Sequence, residues 1–405
     1  MKNRFLFFFI LSSFTLWCQT TIKGTIYDKN GVLENVAVYL NNTMFGTTTD
    51  VKGEFELQVK DGQYELIVSY LGYKKIVYSL NTSNYTKPLT FVLEEEENVL
   101  DEIVIKKIVY DEEWKYNLQA FKDGFLGRTS LSKDCEIINE EVIFFDFNRK
   151  DNKLEAFAKK PLKIKHKALG YIITFELESF VRTNDYITYL GYTRYEEMKG
   201  GNRKQKRWKK NRLIAYKGSQ VHFYKSLIND TFTKEGYIIN QFKRVENPER
   251  PTEQEIQKAR ELLRLNRNFN LDFSKKIVTP LTALDSALVT VRKARLPKFK
   301  DYLYKSKLKK DEVISFKNNT NTLTFDNNLS VVYTNEKEEE GYILRNVFSK
   351  KREATYQTSS IIPLEKNIVL DKSGILIKPL SIFYEGYWSY EKFAHALPLD
   401  YEPTY

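Results

Sequence analysis

The sequence predicts an all-β sandwich at the N-terminus followed by a mixed α+β region. Three observations carry this. Phe55, Leu57 and Val59 alternate with Glu54, Glu56 and Gln58, the period-two pattern of a sheet with one buried face. Gly-bearing turns such as Asn30-Gly31, Lys52-Gly53 and Asp61-Gly62 recur between short β-rich runs, as in an antiparallel sandwich. Beyond residue 106, apolar spacings of three and four appear among the strands, and Thr252-x-x-Glu255 has the form of a capping box.

Residues 1–18 read as a signal peptide. Lys2 and Arg4 precede Phe5–Trp17, an uncharged stretch too short to cross a bilayer and of the right length for an h-region. Cys18-Gln19 is the expected cleavage junction. A lipidated Cys18 ranks second, because bulky Leu16-Trp17 suits a lipidation signal poorly. No later segment is long and apolar enough for a transmembrane helix.

Residues 19–93 form the expected sandwich of about seven strands. Ile22–Tyr27 alternates and is turned by Asp28-Lys29-Asn30-Gly31, where Asn-Gly supplies positive φ at little cost. Val36–Leu40, Gly46–Thr49, Phe55–Val59, Tyr64–Tyr70, Ile76–Tyr78 and Leu89–Leu93 follow. Asp50 is expected to cap its own turn, with a metal role beside Asp28 as the weaker reading.

These residues carry a resemblance. Gly24-x-Ile26-x-Asp28-x-x-Gly31, then Gly46-Thr47-x-Thr49-Asp50-x-x-Gly53-x-Phe55-x-Leu57, then Gly62-x-Tyr64-x-Leu66-x-Val68-Ser69-Tyr70-x-Gly72-Tyr73 resembles the carboxypeptidase-regulatory-like domain. The resemblance implies a prealbumin-like sandwich without catalytic residues of its own. Residues 94–105 are read as an acidic hinge, beginning with Glu94–Glu97. Its Leu100–Ile105 stretch is similar to the segment after the same sandwich in TonB-dependent outer-membrane receptors. Only about 300 residues remain here, without the strands of a large barrel, so the receptor function is not carried over.

Residues 106–405 are expected to be a basic α+β domain. Trp114, Leu118 and Phe121 predict a helix from Asp111, ended at Phe125-Leu126-Gly127. Val142–Phe147, Leu154–Phe157, Tyr171–Leu177 and Tyr186–Tyr195 read as strands, Asn211–Thr233 as a helix, and Thr252 as the start of another. Past Asn266 the chain reads as β-like, with Leu323–Phe325, Leu329–Tyr333, Ile368–Leu370 and Ile375–Ile377 as candidates. The aromatic tail Phe383–Tyr390 reads as packing first and a sugar-stacking platform second. Trp114-x-x-Asn117-Leu118-x-x-Phe121, Asn211-Arg212-x-x-Ala215-Tyr216-x-Gly218-Ser219-x-x-His222-Phe223 and Gly386-Tyr387-Trp388-Ser389 resemble a family of envelope proteins with the same sandwich at their front. That resemblance brings no activity with it.

Charge is unevenly placed. Residues 19–99 hold seven Lys/Arg and eleven Asp/Glu, a net −4, whereas residues 100–405 hold 55 and 42, a net +13. A basic exported region favours anionic neighbours such as lipid headgroups or acidic glycans, or an envelope protein, and export argues against nucleic acid. The clearest patch is Lys199, Arg203, Lys204, Lys206, Arg207, Trp208, Lys209, Lys210 and Arg212, with Trp208 as the expected apolar anchor of an anion or partner site. The plain alternative is a solvated loop, since charge runs usually face water.

No catalytic, cofactor or metal set stands out. His166, His222 and His395 lie in no zinc-peptidase spacing, and there is no Gly-x-Ser-x-Gly elbow, phosphate loop or dinucleotide fingerprint. Cys135 reads as a small buried residue rather than a nucleophile. The sequence therefore predicts a non-catalytic exported protein of the periplasm or outer membrane that binds or scaffolds. An envelope peptidase or glycosidase with its site in 106–405 is the alternative.

Overall fold

The computed structural model describes residues 19–96, 109–266, 279, 280, 282–317, 320–345, 352–371 and 373–404. The expected signal segment 1–18 and most of the hinge, 97–105, lie outside the described residues.

The alternating N-terminal segments pair into two four-stranded sheets. One holds Gln19–Asp28, Gly31–Val32, Glu54–Lys60 and Leu89–Val92. The other runs in the order Gly46–Thr48, Ala37–Leu40, Gln63–Ser69, Ile76–Asn81. Their inward side chains, among them Ile22, Ile26, Val38, Phe55, Leu57, Leu66, Val68 and Phe91, make one core. The eighth strand beyond the expected seven is Gly31–Val32, a two-residue ladder inside a turn. One pairing departs from the antiparallel expectation: Leu89–Val92 runs parallel to Gln19–Asp28, with Gly24 opposite Leu89. A Cβ at Gly24 would lie 2.5 Å from the Leu89 carbonyl oxygen and 2.6 Å from the Phe55 ring, so only glycine admits this ladder.

Both turn carboxylates are occupied locally. Asp50 accepts from the backbone N–H of Lys52 and Glu54, each at 2.9 Å. Asp28 accepts from Asn30 and Gly31 N–H and, at 2.7 Å, from the Tyr73 hydroxyl, which holds its carboxyl below the usual range. Among the described residues no group of three His, Cys, Asp or Glu side chains is placed to hold a metal.

By contacts the chain divides into two units: Met1–Ser219 with Glu339–Lys351 and Tyr390–Tyr405, and Gln220–Glu338 with Arg352–Ser389. The division cuts through the 106–405 segment rather than falling at the hinge. In the first unit a six-stranded sheet runs in the order Ile143–Asn148, Lys153–Ala158, Tyr171–Arg182, Leu162–His166, Cys135–Ile137, with Ile187–Glu197 paired to Tyr171–Arg182. The helix Glu112–Phe125, capped by Asp111 accepting from Trp114 N–H at 2.8 Å, packs Phe121 and Phe125 into its core.

The sandwich is stitched to this sheet directly. Asn42 N–H donates to the Thr193 carbonyl (2.7 Å), Tyr195 N–H donates to the Thr43 carbonyl (3.0 Å), and Thr193 N–H reaches the Asn41 side chain (2.9 Å). At the centre of the junction Glu176, on Tyr171–Arg182, is buried. Its carboxylate accepts from the Tyr39 hydroxyl at 2.7 Å and the Ser69 hydroxyl at 3.1 Å, and pairs with Lys75 Nζ at 2.7 Å. Burial and the adjacent carboxylate push the Tyr39 phenol well up. Desolvation works against the Lys75 ammonium, but Glu176 and Glu178 outweigh it and raise its pKa.

The second unit is built on a five-stranded sheet in the order Phe299–Lys305, Tyr237–Glu246, Asn328–Lys337, Tyr356–Pro363, Ile382–Gly386. A smaller sheet holds Ile314–Lys317, Thr320–Leu323 and Ile368–Leu370. The expected strand at Leu323–Phe325 is thus shifted back, and of Ile375–Ile377 only Leu376 bridges, to Leu370. The capping box at Thr252 and Glu255 is present and opens Glu253–Leu265. The β-like reading past Asn266 misses a helix, Ala283–Lys293, with its own Thr282–Asp285 box. These two helices share a small core of Ala259, Leu263, Ala287 and Leu288.

Removing the Glu176 carboxylate strands a largely buried Lys75 and Tyr39. Glu176→Ala should lower the urea unfolding free energy of this unit by about 3 kcal/mol, whereas Glu178→Ala, at the exposed end of the pair, should change it by less than about 1 kcal/mol.

Candidate functional site

The basic patch is not a loop. Asn202–Tyr216 is an α-helix, followed after Lys217-Gly218-Ser219 by a second helix, Gln220–Ile228. Lys and Arg are good helix formers, so a charge run is compatible with helix, and Gly218 at φ +77° breaks the single long helix expected from Asn211 to Thr233.

The helix is fixed by capping a turn. After Leu162–His166 the chain turns through Lys167–Gly170, leaving a row of carbonyls. Trp208 Nε1 donates to the Lys167 carbonyl (3.0 Å), joined by Arg207 (3.3 Å). Asn211 donates to the Ala168 carbonyl (2.8 Å), and Arg212 to those of Leu169 (2.8 Å) and Gly170 (3.4 Å). The Arg212 guanidinium also lies 4.0 Å from the Tyr171 ring centroid and pairs with Glu197 at 2.5 Å. The Trp208 indole is clamped between glycines: a Cβ at Gly170 or Gly200 would meet it at 2.2 Å or 2.6 Å. His166 completes the turn, its Nδ1 accepting from Leu169 N–H (3.3 Å) and its Nε2 bonded to the Ala394 carbonyl (2.8 Å), which assigns the neutral Nε2–H tautomer.

Two of the nine candidate residues therefore change role. Trp208 and Arg212 are buried and hold the helix; they are not open to a ligand. Their signal was the i, i+4 spacing, continued by buried Ala215 on the docked face. The structure brings Arg203, Lys204, Lys206, Arg207, Lys209 and Lys210 together on the exposed surface of one helix, with exposed Lys199 just before it. Arg203, Lys206, Arg207 and Lys210 follow the i, i+3, i+4, i+7 spacing of a single face. Lys199, Arg203, Lys204, Lys206, Lys209 and Lys210 make no ion pair among the described residues.

This charge is placed where it destabilises the helix. The first turn has no acidic residue, and the N-cap, Gly201, offers no side-chain acceptor. Cations near a helix N-terminus oppose the macrodipole, and like charges four apart repel. The docked face offsets that cost and leaves a rigid cationic surface.

The other candidates are internal. In the second unit the aromatic tail is packing: Trp388 is buried 5.4 Å from Phe223 and 5.7 Å from Tyr384 between ring centroids, and the Tyr384 and Tyr224 hydroxyls are 2.9 Å apart. This removes the sugar platform. His222 is buried, with Nδ1 2.9 Å from the Tyr237 hydroxyl. Cys135 is buried and its thiol is pushed up to about 12 by desolvation and Glu136. An open cleft of about 860 Å³ in the second unit, floored by Phe232, Tyr237 and Leu308 and rimmed by Lys307 and Lys309, holds none of the sequence-derived site residues.

Two outcomes are expected from this geometry. Gly170→Ala combines a positive φ (+75°) with a Cβ inside the Trp208 indole, so it should destabilise the unit by at least about 2 kcal/mol in urea unfolding. The His395 side chain is 8% exposed and lies near His166, and its ring nitrogens have no hydrogen-bond partner among the described residues; Glu391 lies 3.4 Å from Nδ1. Desolvation, then His166, lowers its pKa from 6.5 to about 3. The fold keeps the neutral ring, so this contribution is complete above 6.5 and is lost as pH falls from 6.5 toward 3, by about 1.4 kcal/mol per pH unit. His395→Leu should flatten the dependence of unfolding free energy on pH in that window.

Residues 22–105 match the CarboxypepD_reg-like domain family. A curated relative, TonB-dependent receptor P39 of Formosa agariphila, is 32% identical over 105 residues, which cover 25% of this chain and 10% of the receptor. The chain thus spans a tenth of that relative's length. Among solved structures, a 9R-lipoxygenase from Cyanothece PCC8801 overlaps 52% of this chain and 48% of its own at a TM-score of 0.16 and 10% identity, too slight a likeness to carry an argument. The family match, the glycine-bearing turns and the two packed sheets agree: the N-terminal module of this chain is a carboxypeptidase-regulatory-like domain.

Proposed function

We propose that this chain is a non-catalytic, exported envelope protein that holds an anionic envelope component on the helix Asn202–Tyr216. One observation carries the reading: six cations without ion-pair partners among the described residues stand on or beside a helix whose opposite face is bolted down by side-chain-to-carbonyl hydrogen bonds. Rigid, unneutralised charge attracts polyanions without an ordering cost on the protein side. The relative named as a TonB-dependent receptor is similar to this chain over 105 residues, which supports an envelope setting. The sandwich, fastened through Glu176, serves as a fixed docking module for a partner.

The hydrolase alternative gains no support from the histidines, since His166 and His222 are buried and the His395 side chain is 8% exposed. The test is sedimentation of the protein with vesicles of phosphatidylcholine, with and without phosphatidylglycerol, and with a sulfated glycan. Binding to at least one anionic probe, falling with added salt, is expected. Lys204→Glu, Lys206→Glu, Lys209→Glu and Lys210→Glu together should weaken it by about two orders of magnitude or more, given about 1 kcal/mol per cation at an anionic surface. Undiminished binding by that variant, or no binding to any anionic probe, would overturn the proposal.

A further inference from the structure

The strand Phe299–Lys305 ends the five-stranded sheet, and among the described residues no strand pairs with its outer side. Six of its seven residues are exposed, including Phe299, Tyr302, Leu303 and Tyr304, each about half exposed. Natural sheet edges are usually blunted by charge, proline, covering elements or bulges. Here the edge charges are already spent within the chain. Lys300 pairs with Glu249 (2.8 Å), Lys305 with Glu312 (2.6 Å), and Asp301 receives the Arg244 fork at 2.7 and 2.8 Å. The one register shift, opposite Gln241 and Phe242, falls at Tyr304 and leaves Phe299–Leu303 regular.

We infer that this edge pairs with the same edge of a second copy, antiparallel and centred on Tyr302. The order Phe-Lys-Asp-Tyr-Leu-Tyr-Lys reads compatibly in both directions. About that centre Tyr302 faces Tyr302 and Asp301 faces Leu303, both within the regular stretch. No like charges meet in these pairs. A register centred on Asp301 would set the two Asp301 carboxylates face to face, so charge disfavours it. The contact is two-fold and self-complementary, so it closes at two copies and consumes the open row of backbone donors and acceptors. One strand pair is a small interface, so the dimer is weak, in the micromolar range.

Sedimentation equilibrium of the whole chain over a concentration series tests this. The wild type is expected to dimerise reversibly. Tyr302→Lys places a cation against its own copy and should weaken dimerisation at least about tenfold, and Tyr302→Glu should do the same; an equimolar mixture of the two variants should recover a dimer. Because the Tyr302 ring is half exposed, thermal melts of both variants should match the wild type. A wild type that stays monomeric to about 100 μM, a dimer indifferent to both substitutions, or a mixture no tighter than its components would each overturn the inference.

Discussion

A buried carboxylate sets the organisation of the first unit. Glu176 sits where the sandwich meets the six-stranded sheet, and a charge removed from water is tolerable only when its oxygens are occupied. Tyr39, Ser69 and Lys75, all from the sandwich, occupy them. The two folded layers are therefore complementary rather than merely adjacent. The same strand, Tyr171–Arg182, begins with the ring that lies beneath Arg212. One strand thus fixes the sandwich at its middle and the basic helix at its start.

The basic helix shows how tertiary contacts override local preference. Its charges oppose its own dipole and one another, so isolated it would be a poor helix. The carbonyls of Lys167, Ala168 and Leu169 supply what it lacks, and the helix in turn satisfies acceptors that the turn would otherwise leave unpaired. Each is the other's cap. Lys204, Lys206, Lys209 and Lys210 take no part in this exchange and stay exposed.

The sandwich was legible because its signals are local: alternation, Asn-Gly and Asp-Gly turns, and inward residues spaced by two. The chemistry around it was not. Glu176 lies in the run Ile172, Thr174, Glu176, which by alternation belongs to the water-facing side; only a domain some hundred residues earlier makes that side an interior. Trp208 looked like an anchor for a ligand, and it is an anchor, but for the chain's own turn. The helix Ala283–Lys293 carried its signal in Leu284, Ala287, Leu288 and Val291, which a β-like reading of the whole stretch passed over.

The parallel pairing of Gln19–Asp28 with Leu89–Val92 has a mechanical meaning. These are the first and last strands of the sandwich, side by side and pointing the same way. Tension applied between residues 19 and 96 would pull them in opposite directions along their length, loading every bond of the ladder together rather than peeling them one at a time. The module at the front of this chain is thereby shaped to bear a pull along its strands.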